Sequence, residues 1–284
     1  MENHVSYETL MQRRDFIKRN KNFPRAIIEH YIANEVIYEK QPLFYKTILQ
    51  ESRTNIILSV CCLIYGQQST SVSDIKGLCL KYNIASSNSV IAVITLLRAT
   101  NRIITFRCPE DRRKTVIKPT PKGLSELKRY MSSAFIPLIT LYPNYNISSN
   151  LLDNDVHRCN FFRRVSEYLF TGMTFKKTLP EVESFINKDG GRMIMLYIYL
   201  QAIANEYDGA YLINYSASEF ANKFFVSRVH VNRIIHEAQA HGYLEVRKDK
   251  RLEVSTHFIE LVENYVGTYF AYVEHYLDIH PSES

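Results

Sequence analysis

At 284 residues and 46% hydrophobic content, the chain can bury one large core or two modest ones, and it is too apolar to remain disordered. Its five cysteines, Cys61, Cys62, Cys79, Cys108 and Cys159, have neither the paired spacing of a zinc site nor the density of a secreted disulfide scaffold. The formal charge of +6 is mild for a protein that neutralises phosphates, so placement of charge carries more than its total.

Positive charge first gathers near the N-terminus, where Arg13, Arg14, Lys18, Arg19, Lys21 and Arg25 face only Asp15. This run is either a phosphate-seeking arm or a solvated basic face. The spacing then predicts a helix over 23–49, with Pro24 in its first turn and Ile27, Ile28, Tyr31, Ile32, Val36 and Ile37 as an apolar stripe. Residues 1–50 are therefore read as a basic arm and a packing helix. A second helix is predicted over 52–65, ending at Gly66.

The stretch 73–90 reads as helix, tight turn, helix. Ser71 with Asp74 three residues on can cap the first helix, and Ile75, Leu78 and Cys79 form its inner face. Asn83 suits a left-handed turn, Ile84 plugs the space between the helices, and Ser86 or Ser87 caps the second. Residues 103–106 and 115–118 are short and β-branched, as two strands of a hairpin with 109–114 at its tip. Arg102, Arg107, Arg112, Arg113, Lys114, Lys118 and Lys122 face only Glu110 and Asp111 here. Thr120 and Pro121 mark a helix start that is expected to run to about Met131, closing a first domain over 51–133.

From 134 the pattern breaks at Pro137, Pro143, Ser148 and Ser149, so 134–150 reads as a connector and 134–187 as connector plus short helices over 156–170 and 179–186. A helix over 191–206 then opens a second domain, 188–284. Ser216 and Glu219 repeat the capping-box spacing, Phe220 and Ala221 stand for Leu78 and Cys79, and Val226 stands for Ile84. Ser227 caps the following helix, whose buried stripe is Val231, Ile234, Ile235 and Ala238, and Gly242 closes it. Strands are predicted at 243–247 and 252–254, and a long helix over 256–277. The expected fold class is mainly α with small β wings: two tandem winged helix-turn-helix domains plus packing or dimerisation helices.

Such a helix fits the DNA major groove, where each base pair presents a distinct donor and acceptor pattern. The candidate base readers are Ser86, Ser87, Asn88 and Ser89 in the first unit and Ser227, Arg228, His230, Asn232 and Arg233 in the second. Arg112, Arg113, Lys114, Lys248, Lys250 and Arg251 are the candidate phosphate contacts. The helix from Val90 to Leu97 is apolar nearly all round, so the first unit is expected to add phosphate affinity and the second to discriminate bases.

The run from Asn101 to Gly123, NRIITFRCPEDRRKTVIKPTPKG, resembles the wing and following helix start of MarR-type winged-helix regulators. That likeness implies that Asp111 orients the wing arginines and that Arg112 or Arg113 reaches the minor groove. The run from Val226 to Arg233 is similar to the recognition-helix start of several bacterial winged-helix families, with His230 where threonine is common. MarR-type proteins are usually single-unit homodimers, and the second copy here departs from that pattern.

No glycine-rich phosphate loop, HExxH pair or GxSxG elbow is present, so no catalytic residue, metal or cofactor is expected and the chain is read as a non-enzyme. His230, His236 and His241 fall on one helix, as solvated or phosphate-contacting groups rather than metal ligands. The twenty tyrosines read as core, with room for an effector pocket between helices. Cys108, beside the wing, is the one thiol placed to sense oxidation. The polar, basic start and the absence of a long apolar run predict neither signal peptide nor membrane span, and a cytoplasmic, nucleoid-associated location. The expected function is a sequence-specific double-stranded DNA-binding transcriptional regulator, with room for a small-molecule effector and for a homodimer through the terminal helices. The rivals are a plasmid-type replication initiator and a winged-helix protein-interaction scaffold.

Overall fold

Ser6 starts the first helix, α1 (Tyr7–Lys18), by accepting the Thr9 amide at 3.0 Å. The helix expected over 23–49 is two helices, α2 (Phe23–Lys40) and α3 (Pro42–Ile48). Pro42 has no amide to donate and its ring excludes the helical conformation from the residue before it, so Gln41 stands at φ −150°, ψ 67°. The computed structural model describes residues 6–66, 70–108, 111–145 and 154–279. Pro109 and Glu110 of the expected wing tip, and the end of the expected connector beyond 145, lie outside the described residues.

The chain continues through α4 (Glu51–Gly66), α5 (Val72–Lys81), α6 (Ser87–Ala99), β1 (Ile103–Arg107), β2 (Thr115–Pro119) and α7 (Pro121–Leu141). The connector expected from 134 is helix as far as Leu141, with Pro137 inside it. An interior proline removes one backbone bond and costs about 3 kcal/mol. Phe135, Leu138 and Leu141 around it are fully buried, and burying each stabilises by about 1.5–3 kcal/mol, so packing outweighs the break.

Next come α8 (Asp155–Leu169), α9 (Phe175–Thr178), a 3-10 turn (Pro180–Val182), α10 (Glu183–Ile186) and α11 (Gly191–Ala204). The helix expected to reach 206 stops at Ala204, because Glu206 and Tyr207 already pair as β3 with β4 (Ala210–Asn214). The chain then forms α12 (Ala217–Lys223), α13 (Arg228–Ala240), β5 (Leu244–Val246), β6 (Arg251–Val254) and α14 (Thr256–Leu277). The protein is mainly helical, with a two-stranded antiparallel sheet, β1-β2, and a four-stranded antiparallel sheet in the order β3-β4-β6-β5. Among the described residues no helix is long and apolar enough to cross a membrane.

Buried side chains form one cluster from Leu10 to Ile279 that runs through all four segments expected from the sequence. At its centre lies α14, packed against α1, α7, α8 and α11. Its aromatic side chains stack edge-on or tilted against those of other helices: Tyr265 on Phe175, Phe270 on Phe23, Tyr272 on Tyr168 and Tyr276 on Phe161. The helix expected to serve a homodimer is thus sheathed on its apolar side by its own chain.

The N-terminal basic run is drawn into this packing. Arg13 Nε donates to Glu274 at 2.5 Å, Arg14 pairs with Asp15 at 2.8 Å, and Lys18 donates to Asn264 at 2.7 Å. Arg19, Lys21 and Arg25 are the exposed remainder, so the run offers fewer cations to a partner than its sequence suggests.

His30 on α2 is fully buried between Tyr269 and Phe270, with Asn34 donating to its Nδ1 at 3.3 Å. Burial, assisted by the nearby positive charge of Arg192, lowers its pKa to about 3. The unfolded chain therefore binds a proton below about pH 6.5 that the folded chain refuses, and this contribution to stability is lost as pH falls. Glu51, whose carboxyl burial raises, acts in the opposite sense. Urea titrations at pH 7, 6 and 5 are expected to show the wild type losing stability relative to His30→Gln by up to about 1.4 kcal/mol per pH unit below 6.5. Parallel curves for the two proteins would show that His30 protonates freely in the fold.

Candidate nucleic-acid interface

The same backbone scaffold occurs twice. In the first copy Asn83 turns the chain at φ 52°, and the Ile84 amide returns to the Cys79 carbonyl at 2.8 Å. In the second Phe225 turns it at φ 53°, and the Val226 amide returns to the Ala221 carbonyl at 3.1 Å. Ser86 then caps α6 by accepting the Ser89 amide at 3.2 Å, as Ser227 caps α13 by accepting the His230 amide at 3.1 Å. The helices end alike, at Asn101 with φ 57° and Gly242 with φ 70°.

The hairpins continue the correspondence. Asp111 Oδ1 accepts the Arg113 amide at 3.0 Å, and Asp249 Oδ1 accepts the Arg251 amide at 3.0 Å. The Arg251 amide and guanidinium hold the Asp249 carboxyl below the usual carboxylate range. Beyond each hairpin, the Thr120 amide bonds the Arg102 carbonyl and the Ser255 amide bonds the Tyr243 carbonyl, both at 3.0 Å. Thr120 and Ser255 then cap α7 and α14. A further segment flanks each hairpin: Ser71 makes an isolated bridge to Val116 in the first copy, and β4 pairs as a full strand with β6 in the second.

Within the first copy, Ser86, Asn88 and Ser89 are exposed on the first turn of α6 and Ser87 is half-buried. Ser86 and Ser89 are engaged with each other, their hydroxyls 2.9 Å apart, so Asn88 is the freer polar group. The outward face continues with Ile91, 45% exposed, and Thr95. Arg112, Arg113 and Lys114 are exposed at the hairpin tip. Arg102, counted among the wing cations, is buried: it donates to Glu126 at 2.6 Å and Gln41 at 2.7 Å, with its guanidinium 3.3 Å from the Phe44 ring centre. Two cations absent from the candidate set, Arg107 and Lys118, are exposed on β1 and β2, and their charge was the signal that marked them.

In the second copy, Arg228, Asn232 and Arg233 are exposed on α13 and Ser227 is its cap. Val229 beside them is 79% exposed, an apolar residue that gives no charge signal in the sequence. Asn232 Oδ1 accepts the Tyr215 hydroxyl at 3.1 Å, which fixes the orientation of its amide. His230 is half-buried and points inward rather than out: Nε2 donates to the Asp189 carbonyl at 2.9 Å and Nδ1 accepts from Arg233 at 2.9 Å. It therefore positions Arg233 and ties α13 to the loop before α11. On the hairpin, Arg251 pairs with Asp249 and Arg247 with Glu253, leaving Lys248 and Lys250 exposed without an ion pair among the described residues.

No hydrogen bond or ion pair among the described residues joins a candidate of one copy to a candidate of the other. The same residues contain no group of His, Cys, Asp and Glu able to hold a metal ion. Set against protein-family models, curated proteins and solved structures, the chain matches none of them.

Proposed function

We propose that the chain is a sequence-specific double-stranded DNA-binding transcriptional regulator, and that α5–α6–β1–β2 and α12–α13–β5–β6 are tandem winged helix-turn-helix units. The observation that carries this reading is the repetition just described, in which each copy leaves the first turn of its second helix and its hairpin cations open to solvent. In the second unit Arg228 and Arg233 have the donor fork that matches guanine, Asn232 the pair of groups that matches adenine, and Val229 a surface for the thymine methyl. The hairpin cations hold phosphates and set affinity without reading sequence. The exposed Ile91 on α6 favours a second reading for the first unit alone, a protein-contacting face in place of a base reader.

Selection of bound duplexes from a random library by the full chain tests the proposal. The wild type is expected to yield a consensus, and Arg228→Ala and Arg233→Ala each to flatten part of it at about 1–3 kcal/mol per lost base contact. A consensus that survives both changes and disappears with Arg112→Ala and Arg113→Ala would reverse the roles of the two units. Absence of salt-dependent DNA binding would leave the protein-interaction scaffold as the better account.

A further inference from the structure

Beneath the first unit lies a cavity of about 200 Å³, walled by α3, α4, α7, α8 and α14 through side chains such as Ile57, Cys61, Phe162, Tyr130 and Tyr276. The wall is almost wholly apolar, yet two buried arginines reach it, Arg102 and Arg192. They are not equivalent. Arg102 is satisfied by Glu126, Gln41 and the Thr100 carbonyl. Arg192, only 5% exposed, has a single long contact, Nη2 to Glu51 Oε2 at 3.3 Å, and its Nε has no hydrogen-bond partner. The Tyr265 hydroxyl on α14, close enough to Arg192 to influence it, is also buried without a partner.

An unmet guanidinium donor in an apolar enclosure is costly unless something fills both needs. A dry apolar cavity of about 150 Å³ accepts a benzene-sized guest, so this one has room for roughly ten non-hydrogen atoms. A hydrocarbon guest would fill the apolar volume and leave the guanidinium beside it with only its long Glu51 contact. We propose that the cavity binds a small monocarboxylate, with an apolar body of about seven carbons among the α4, α7, α8 and α14 side chains and its carboxylate on Arg192. Guanidinium and carboxylate form the strong, charge-assisted hydrogen bonds that the long Glu51 contact lacks. Burial pushes the Glu51 carboxyl above the ordinary carboxylate range, which weakens it as a competitor for the same donor. The proposal stands apart from the DNA-binding reading, since it concerns only the interior.

Octanoate is the probe, titrated into the full chain labelled with carbon-13 at its methionine methyls. Met131 and Met173 line the cavity, whereas Met11 lies on α1 outside it. The methyls of Met131 and Met173 are expected to shift and saturate below about 1 mM, with that of Met11 unmoved. Octylamine, with the same chain and opposite charge, should fail to saturate in that range, and 1-octanol should bind at least about tenfold more weakly than octanoate. Arg192→Met is expected to cut octanoate affinity at least tenfold and to leave octanol binding unchanged. Because that change strands Glu51, the double variant Arg192→Met/Glu51→Met is measured beside it, and the wild-type comparison of acid, alcohol and amine decides the matter if both variants unfold. No shift at Met131 and Met173, an equal shift at Met11, or octylamine or octanol binding as tightly as octanoate would each overturn the assignment.

Discussion

Replacing Arg112, Arg113 and Lys114 together by alanine is expected to weaken duplex DNA binding about 3000-fold at 50 mM salt and about 80-fold at 200 mM. Each cation that neutralises a phosphate contributes about 0.9 to the slope of log affinity against log salt, through released counterions, and that contribution vanishes near 1 M. The steepness should therefore fall by nearly three when all three residues go. If one of them reaches into the minor groove and only two touch phosphate, the loss at 50 mM drops to about 200-fold, so the slope counts the contacts. All three side chains are exposed, and Asp111 holds the backbone of the tip, so the substitutions leave the fold alone. Fluorescence anisotropy on one duplex at four salt concentrations gives both quantities. An unchanged slope would mean that this hairpin never meets phosphate.

Gly123→Ala is expected to destabilise the protein by about 3–5 kcal/mol, a large share of the total stability of an ordinary domain. Gly123 sits in the first turn of α7, where an added Cβ would lie 2.1 Å from the Arg102 carbonyl oxygen and 2.9 Å from its carbonyl carbon. That oxygen cannot step aside freely. It accepts the Thr120 amide at 3.0 Å, and the Thr120 hydroxyl both bonds it and accepts the Gly123 amide. Any shift also pulls Arg102 from Glu126, and breaking a buried ion pair leaves an uncompensated charge. Gly77→Ala is the control: Gly77 is exposed within α5 with open space at its Cβ position, and it should gain about 0.5–1 kcal/mol from helix propensity alone. Guanidinium unfolding of the two variants separates the explanations. Similar effects for both would show that close approach to Arg102 is not what the glycine serves.

The glycine and the hairpin arginines lie in the same stretch of sequence, and they differ in what made them legible. The arginines declared themselves by charge. Gly123 gave only a motif position, and its reason, the nearness of another segment's carbonyl, exists only in three dimensions. Arg102 shows the opposite failure: its charge suggested a surface role, and the fold buries it against Phe44, Gln41 and Glu126, residues up to 61 positions away. His230 has a base reader's place along the helix, yet a carbonyl 41 residues upstream turns its ring inward.

What the sequence determined by itself is the set of features closed within three or four residues. Ser71 and Asp74 form the reciprocal cap, Asn83 adopts the positive φ, Ser86, Thr120 and Ser227 each receive an amide three residues on, and Thr256–Leu277 is the helix its pattern describes. These depend on backbone groups and side chains that remain neighbours in any compact state. The tertiary structure alone decided that α7 continues through Pro137, that β4 joins the second hairpin, that the N-terminal cations pair with α14, and that Arg192 borders a cavity. Each of those outcomes balances a local preference against burial or charge pairing with a distant segment, and the larger free energy, set by which surfaces meet, prevails.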